Sequence, residues 1–136
     1  MITAVDSSVL IDVFGADSTF GVASAALLRR CLSEGALVAC EIVWTETAVV
    51  FRRDEDFVQA MEKLGVEFSS IEQKTALTSA RAWRKYLDRR GPRHRVVADF
   101  LVGAHALEQA DRLITRDRGF YRDYFARLRV LDPTRQ

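Results

Sequence analysis

Short apolar runs alternate with amphipathic stretches along this chain of 136 residues. Residues 2–5 (Ile-Thr-Ala-Val) form a continuous, partly β-branched run, short enough for a buried strand. Val9, Leu10, Val13 and Phe14 then fall on one side of a helix that Ser7 or Ser8 can cap and Gly15 ends. Ala25, Leu28 and Leu32 recur at helical spacing over 22–34, with Arg29 and Arg30 outward and Gly35 as the stop. Residues 36–40 predict a second strand and 41–51 a third helix. Asp54 can cap a helix over 55–64, closed by Gly65, and residues 66–68 read as a third strand. The longest helix is predicted over 72–90, with Leu77, Ala80, Trp83 and Leu87 as its apolar stripe. Gly91-Pro92 breaks it. A helix over 96–109 is apolar almost all round, which predicts burial on more than one face. Residues 112–115 read as a fourth strand, a helical or turn segment carries Phe120 to Phe125, and Val130-Leu131 reads as a last strand, stopped by Asp132-Pro133.

Strands alternating with helices predict an α/β fold: a mostly parallel sheet with helices on both faces. No repeat, linker or low-complexity tract divides the chain, so residues 1–136 read as one domain. Composition narrows the functional classes only a little. At 49% hydrophobic and 29% charged residues, the chain has the balance of an ordinary globule. Its formal net charge of +1 gives no bulk steering toward nucleic acid, so such a role needs a local patch. Cys31 and Cys40 form no CxxC pair and read as free thiols of a reducing compartment. No leader-like stretch or long apolar run is present, and the expectation is a cytoplasmic protein with no membrane role.

Four acids stand out by position. Asp6 follows the first strand, and Asp117 follows the fourth, two residues after Thr115. Glu46 falls between Val43 and Val49-Val50 on the apolar side of its helix. Asp99 lies near the start of the most apolar helix, among Gly103, Ala106 and Ala110. Each has an ordinary alternative: a helix cap for Asp6, a snorkelling or paired acid for Glu46, a first-turn acid for Asp99 and a turn residue for Asp117. A doubly wound sheet, however, brings all four to the edge where its strands end. Clustered carboxylates raise one another's pKa unless a cation sits among them. Hard oxygen ligands suit Mg²⁺ or Mn²⁺, and the chemistry such a site supports is phosphodiester or phosphoryl hydrolysis.

The stretches Asp6-Ser7-Ser8-Val9-Leu10-Ile11-Asp12, Val43-Trp44-Thr45-Glu46, residues 98–106 around Asp99, and residues 113–121 around Asp117 resemble PIN-domain ribonucleases. More narrowly, they are similar to VapC-type toxins of bacterial toxin–antitoxin pairs. The resemblance implies a three-layer α/β/α PIN-like fold and metal-dependent endonucleolytic cleavage of structured RNA such as tRNA or ribosomal RNA. It implies Asp6, Glu46, Asp99 and Asp117 as catalytic and metal-binding residues, with Ser7, Ser8 and Thr115 in support. It further implies a VapB-like antitoxin as partner, and a homodimer. Asp12 points away from Asp6 and reads as structural.

Arg116, Arg118, Arg93 and Arg95 are the candidate RNA contacts; the stripe Arg81, Lys85, Arg89 reads more simply as a solvated face. His105 reads as a core histidine. Phe120, Tyr121, Tyr124 and Phe125 read as core before base-stacking platforms, and Trp44 with Phe51 as part of a possible antitoxin groove. The competing function is a catalytically silent PIN-fold module that binds RNA or protein; an intact set of four acids argues against it. A haloacid-dehalogenase-type hydrolase would need an acid where Ser8 stands.

Overall fold

The structure, a computed structural model, describes residues 1–89 and 95–135. Five strands, β1 (Ile2–Val5), β2 (Ala36–Ala39), β3 (Val66–Phe68), β4 (Arg112–Ile114) and β5 (Val130–Leu131), form one sheet in the order β3-β2-β1-β4-β5. Every neighbouring pair is parallel. Parallel pairing demands crossovers, and helices supply them: α1 (Ser7–Phe14), α2 (Gly21–Ser33), α3 (Glu41–Ala48), α4 (Asp54–Leu64), α5 (Gln73–Arg89), α6 (Val97–Gln109) and α7 (Arg118–Tyr124). From β1 through β3 the chain steps one way across the sheet, then α5 and α6 carry it back past β1 to β4. Right-handed crossovers therefore place α1–α4 on one face and α5–α7 on the other. This is the predicted three-layer α/β/α, PIN-like architecture.

The strands read as apolar runs because both of their faces are covered: Val5, Leu37, Leu113 and Ile114 are all buried. Leu10 and Leu28 pack from one layer and Phe100 from the other. Phe100 lies within ring contact of Trp83, Tyr86, Phe120, Tyr124 and Phe125, which makes it the hub on which α5, α6 and α7 meet. Gly103 leaves room on α6 for the Phe125 ring. A Cβ there would lie 2.4 Å from the Phe125 ring.

Two expectations from the pattern do not hold. The third helix stops at Ala48, short of residue 51, and leaves Val49 and Val50 exposed. Val43 and Thr47 make its buried face, so Glu46 lies on the exposed face and not within an apolar stripe. On α5, Leu77 and Leu87 are exposed, whereas Thr75, Ser79 and Ala82 are buried and Trp83 and Tyr86 half-buried. The reason is a polar seam: Thr75 donates to Gln109 Oε1 at 2.6 Å and Thr78 to Glu108 Oε1 at 2.9 Å. These bonds to α6 rotate α5 away from its strongest hydrophobic stripe. Among the described residues no helix is long and apolar enough to cross a membrane.

Candidate metal centre at the carboxyl edge of the sheet

The strand order reverses at β1, which has β2 on one side and β4 on the other. Such a switch point opens a crevice beyond the carboxyl ends of the strands. Asp6 leaves β1 there, and Thr115 to Asp117 leave β4 beside it. The two exits are tied together, since the Asp6 N–H donates to the Ile114 carbonyl at 2.9 Å.

The Asp6 carboxylate is held from both sides. Oδ1 accepts the Ser7 N–H at 2.8 Å, and Oδ2 accepts the Thr115 hydroxyl at 2.7 Å. Asp6 is thus itself the N-cap of α1; neither serine hydroxyl takes that role. Its cap bond and its place at the crevice are compatible, because each carboxylate oxygen keeps lone-pair capacity beyond one accepted bond. Ser7 turns its hydroxyl the other way and donates to Glu46 Oε1 at 3.0 Å. Ser8 follows in the first turn of α1, half-buried.

Thr115 is fully buried and works twice: it donates to Asp6 and accepts the Asp117 N–H at 3.0 Å. Asp117 in turn accepts Arg95 Nη1 at 2.8 Å, and the same nitrogen lies 3.9 Å from Asp99 Oδ2. One run of contacts therefore threads all four acids: Glu46, Ser7, Asp6, Thr115, Asp117, Arg95, Asp99. Asp99 sits in the first turn of α6, where an acid favours the helix dipole, and its bond from the Val96 N–H is long at 3.4 Å.

The electrostatics describe a cluster short of positive charge. Burial pushes the Asp6 carboxyl above its ordinary value, and Glu46 and Asp117 push it further, against the bonds from Thr115 and Ser7. Tyr121, buried in α7, is raised well above the usual phenol value, by burial first and then by Asp6, Asp99 and Asp117. A protonated phenol beside three acids is a feature that sequence reasoning missed. Its only trace is the placement of Tyr121 four residues after Asp117, one helical turn on.

The donor set is oxygen throughout and suits a hard divalent cation. Among the described residues, however, no three His, Cys, Asp or Glu side chains stand together as a ready-made metal site. Arg95 lies against Asp117, and Ser7 reaches Glu46, so the side chains would have to close on an ion.

The arginines separate sharply. Arg93, like His94, lies outside the described residues. Arg95 is engaged with the acids and stacks on the Phe120 ring at 4.4 Å. Burial opposes its charge, but Asp117 and Asp99 outweigh that and raise its pKa. Arg116 is not a free cation at the site edge. It donates to both Asp12 oxygens at 2.8 and 3.2 Å and covers Phe20 at 4.2 Å. Asp12 is buried by this pair, in keeping with a structural role. Arg118 is exposed and lines a hollow with Arg122 and Val130. Arg81 and Lys85 line a separate cavity with Tyr124 and Arg127. His105 is buried, its Nε2 2.9 Å from Ser69 Oγ, and burial lowers its pKa. Trp44 and Phe51 belong to an edge-to-face cluster with Phe14, Phe57 and Phe68.

Comparison with curated proteins gives no match. Among solved structures, the chain is similar to VapBC-1 from nontypeable Haemophilus influenzae (19% identity, 99% of this chain and 100% of that one, TM-score 0.74). It is also similar to VapBC2 from Rickettsia felis bound to a DNA fragment from its promoter (14% identity, 97% and 98%, TM-score 0.70). A third is VapC20 from Mycobacterium tuberculosis, described as a sarcin–ricin loop cleaving toxin (17% identity, 89% and 94%, TM-score 0.59). The PIN domain family model matches residues 3–125 of the sequence, and the chain belongs to that family.

Proposed function

We propose that this chain is a metal-dependent endoribonuclease toxin that cleaves structured RNA, tRNA or ribosomal RNA, and is neutralised by a VapB-like antitoxin. The observation that carries it is the single network joining Asp6, Glu46, Asp99 and Asp117 at the switch point of a PIN-family sheet. Similarity to VapBC complexes and to a sarcin–ricin loop cleaving toxin supports the toxin and RNA parts of the reading. It also supports an antitoxin as partner. A homodimer in the cytoplasm completes the proposal.

Asp6, Asp99 and Asp117, with Glu46 at the rim, would hold Mg²⁺ or Mn²⁺, which supplies an acidified water and neutralises charge on the departing oxygen. The rest falls to the chain. Thr115 and the Ser7 N–H orient the Asp6 carboxylate, as outer partners orient metal ligands. Ser7 holds Glu46 toward the same crevice, and Tyr121 keeps a proton at its edge.

A silent binding module has one observation in its favour: Arg95 already partners Asp117. Incubation with total bacterial tRNA and rRNA, with end mapping of the products, separates the two. Wild type is expected to cut at defined sites in Mg²⁺ or Mn²⁺ and to stop in EDTA. Asp6→Asn and Asp99→Asn are expected to lose at least about 100-fold in rate, the scale of a lost metal-centred contribution. Equal cleavage by wild type and both variants, or full activity in EDTA, would sink the proposal.

A further inference from the structure

We infer that Arg95 is a built-in counter-cation: its guanidinium holds the site's acids together in the absence of a divalent ion and must leave Asp117 when one binds. The inference rests on the divalent-cation reading above. It starts from the placement of one side chain. Arg95 stands just before the extended Val96 cap of α6, where its fork reaches back over the crevice. It meets Asp117 at 2.8 Å and Asp99 at 3.9 Å, two acids that come from different elements and share no other described contact. Its Cζ also lies over the ring of Phe120, 4.4 Å from the centroid, and that ring is buried in the aromatic hub. The Arg95 N–H is held as well, donating to the Tyr86 hydroxyl at 2.8 Å. Backbone, ring and charge therefore converge on a single pose.

That pose has a cost for any ion. Asp117 Oδ2 is the oxygen that Arg95 occupies, and a divalent cation seeking Asp117 and Asp99 together would meet a positive charge already between them. Two cations that want the same oxygens compete, and the affinity of either falls by the strength of the other's hold. Charge alone would not demand this arrangement. The cation-free cluster needs neutralising, but Asp12 at the other end of α1 has a dedicated bidentate partner in Arg116. Arg95 is instead shared and single-pronged, as an exchangeable partner should be. Its half-exposed acids leave it a short path outward, where the released fork would face a phosphodiester arriving at the crevice.

Calorimetric titration of Mn²⁺ into wild type, Arg95→Gln, Arg95→Lys and Asp99→Asn tests this. Arg95→Gln is expected to bind Mn²⁺ roughly three- to tenfold more tightly than wild type, the size of one partly exposed ion pair. Arg95→Lys, charged but without the fork, is expected between them. In EDTA, Arg95→Gln should melt below wild type, and added Mn²⁺ should raise its Tm by more. Unchanged or weaker Mn²⁺ affinity in Arg95→Gln, alongside binding by wild type that Asp99→Asn removes, overturns the role of Arg95 and leaves the metal reading standing. No Mn²⁺ binding by wild type overturns both. A readout on the unaltered protein covers loss of folding in the variants. The Arg95 guanidinium resonances should shift on Mg²⁺ addition with the midpoint of binding; resonances that stay fixed through saturation overturn the inference.

Discussion

The two edges of one sheet treat the same kinds of residue in opposite ways. At the amino edge Arg112, Glu34 and Asp111 each have a dedicated partner. Arg112, buried in β4, donates to Thr3 Oγ1 at 2.9 Å and pairs with Glu34 at 2.6 Å. Asp111 accepts the Ile2 N–H at 2.7 Å. At the carboxyl edge four acids share two hydroxyls and one arginine. Glu34 is held below the ordinary carboxylate range by the Arg112 bond, whereas Asp6 is pushed above it by burial. One edge is arranged to be stable alone. The other leaves Asp6 crowded by burial and by its neighbouring acids, in line with the proposed cation site.

The largest expected effect breaks the amino edge. Arg112→Ala would strip the buried Thr3 hydroxyl of its donor and empty a fully buried side-chain site in β4, at a cost of about 2–3 kcal/mol in urea unfolding. Gly35→Ala is expected to cost about 1–3 kcal/mol at the same edge, because its Cβ would fall 1.8 Å from the Met1 carbonyl oxygen and backbone must shift. A loss below about 0.5 kcal/mol in either variant, within the range of ordinary surface changes, would show that this edge is not the firm one.

The carboxyl edge should respond with the opposite sign. Asp6→Asn removes a carboxylate that the fold holds uncomfortably, yet keeps an oxygen for the Ser7 N–H. Melted in EDTA, it is expected to gain about 3 °C over wild type while losing RNA cleavage. A lower Tm would mean that the cap bond outweighs the crowding.

Most of the fold was legible because parallel strands buried on both faces leave continuous apolar runs, and Gly35, Gly65 and Asp132-Pro133 punctuate them. Asp6, Asp99 and Asp117 were legible for the same reason: position after a strand or at a helix start survives in one dimension. What failed were inferences about orientation. The pattern puts Glu46 on an apolar stripe because Val49 and Val50 follow at helical spacing, but the helix ends at Ala48. In the sequence Arg116 stands out only as a candidate RNA contact, because its partner, Asp12, lies 104 residues away in the chain. Leu77 and Leu87 outrank Thr75 in hydrophobicity, but hydrogen bonds to α6 decided which face of α5 is buried. The last two misses were settled by long-range polar contacts that periodicity cannot register, and the first by a helix end.

The smallest effect gives the sharpest contrast, because the two edges should titrate in opposite directions. Asp6 has a raised folded pKa, so it binds more protons folded than unfolded between its ordinary value of 3.8 and that raised value. Its penalty is fully present above the folded pKa and fades as pH falls toward 3.8. Glu34 has a lowered folded pKa, so its contribution is fully present above 4.5 and is lost as pH falls through the folded value. In EDTA, then, the advantage of Asp6→Asn over wild type should shrink on acidification within the window above 3.8. The disadvantage of Glu34→Gln should hold down to 4.5 and shrink only below it. Urea unfolding of both variants and wild type across roughly pH 7 to 3 reads the two differences directly. Differences that run parallel would mean that both edges are balanced alike, and that the carboxyl edge carries no unmet demand for a cation.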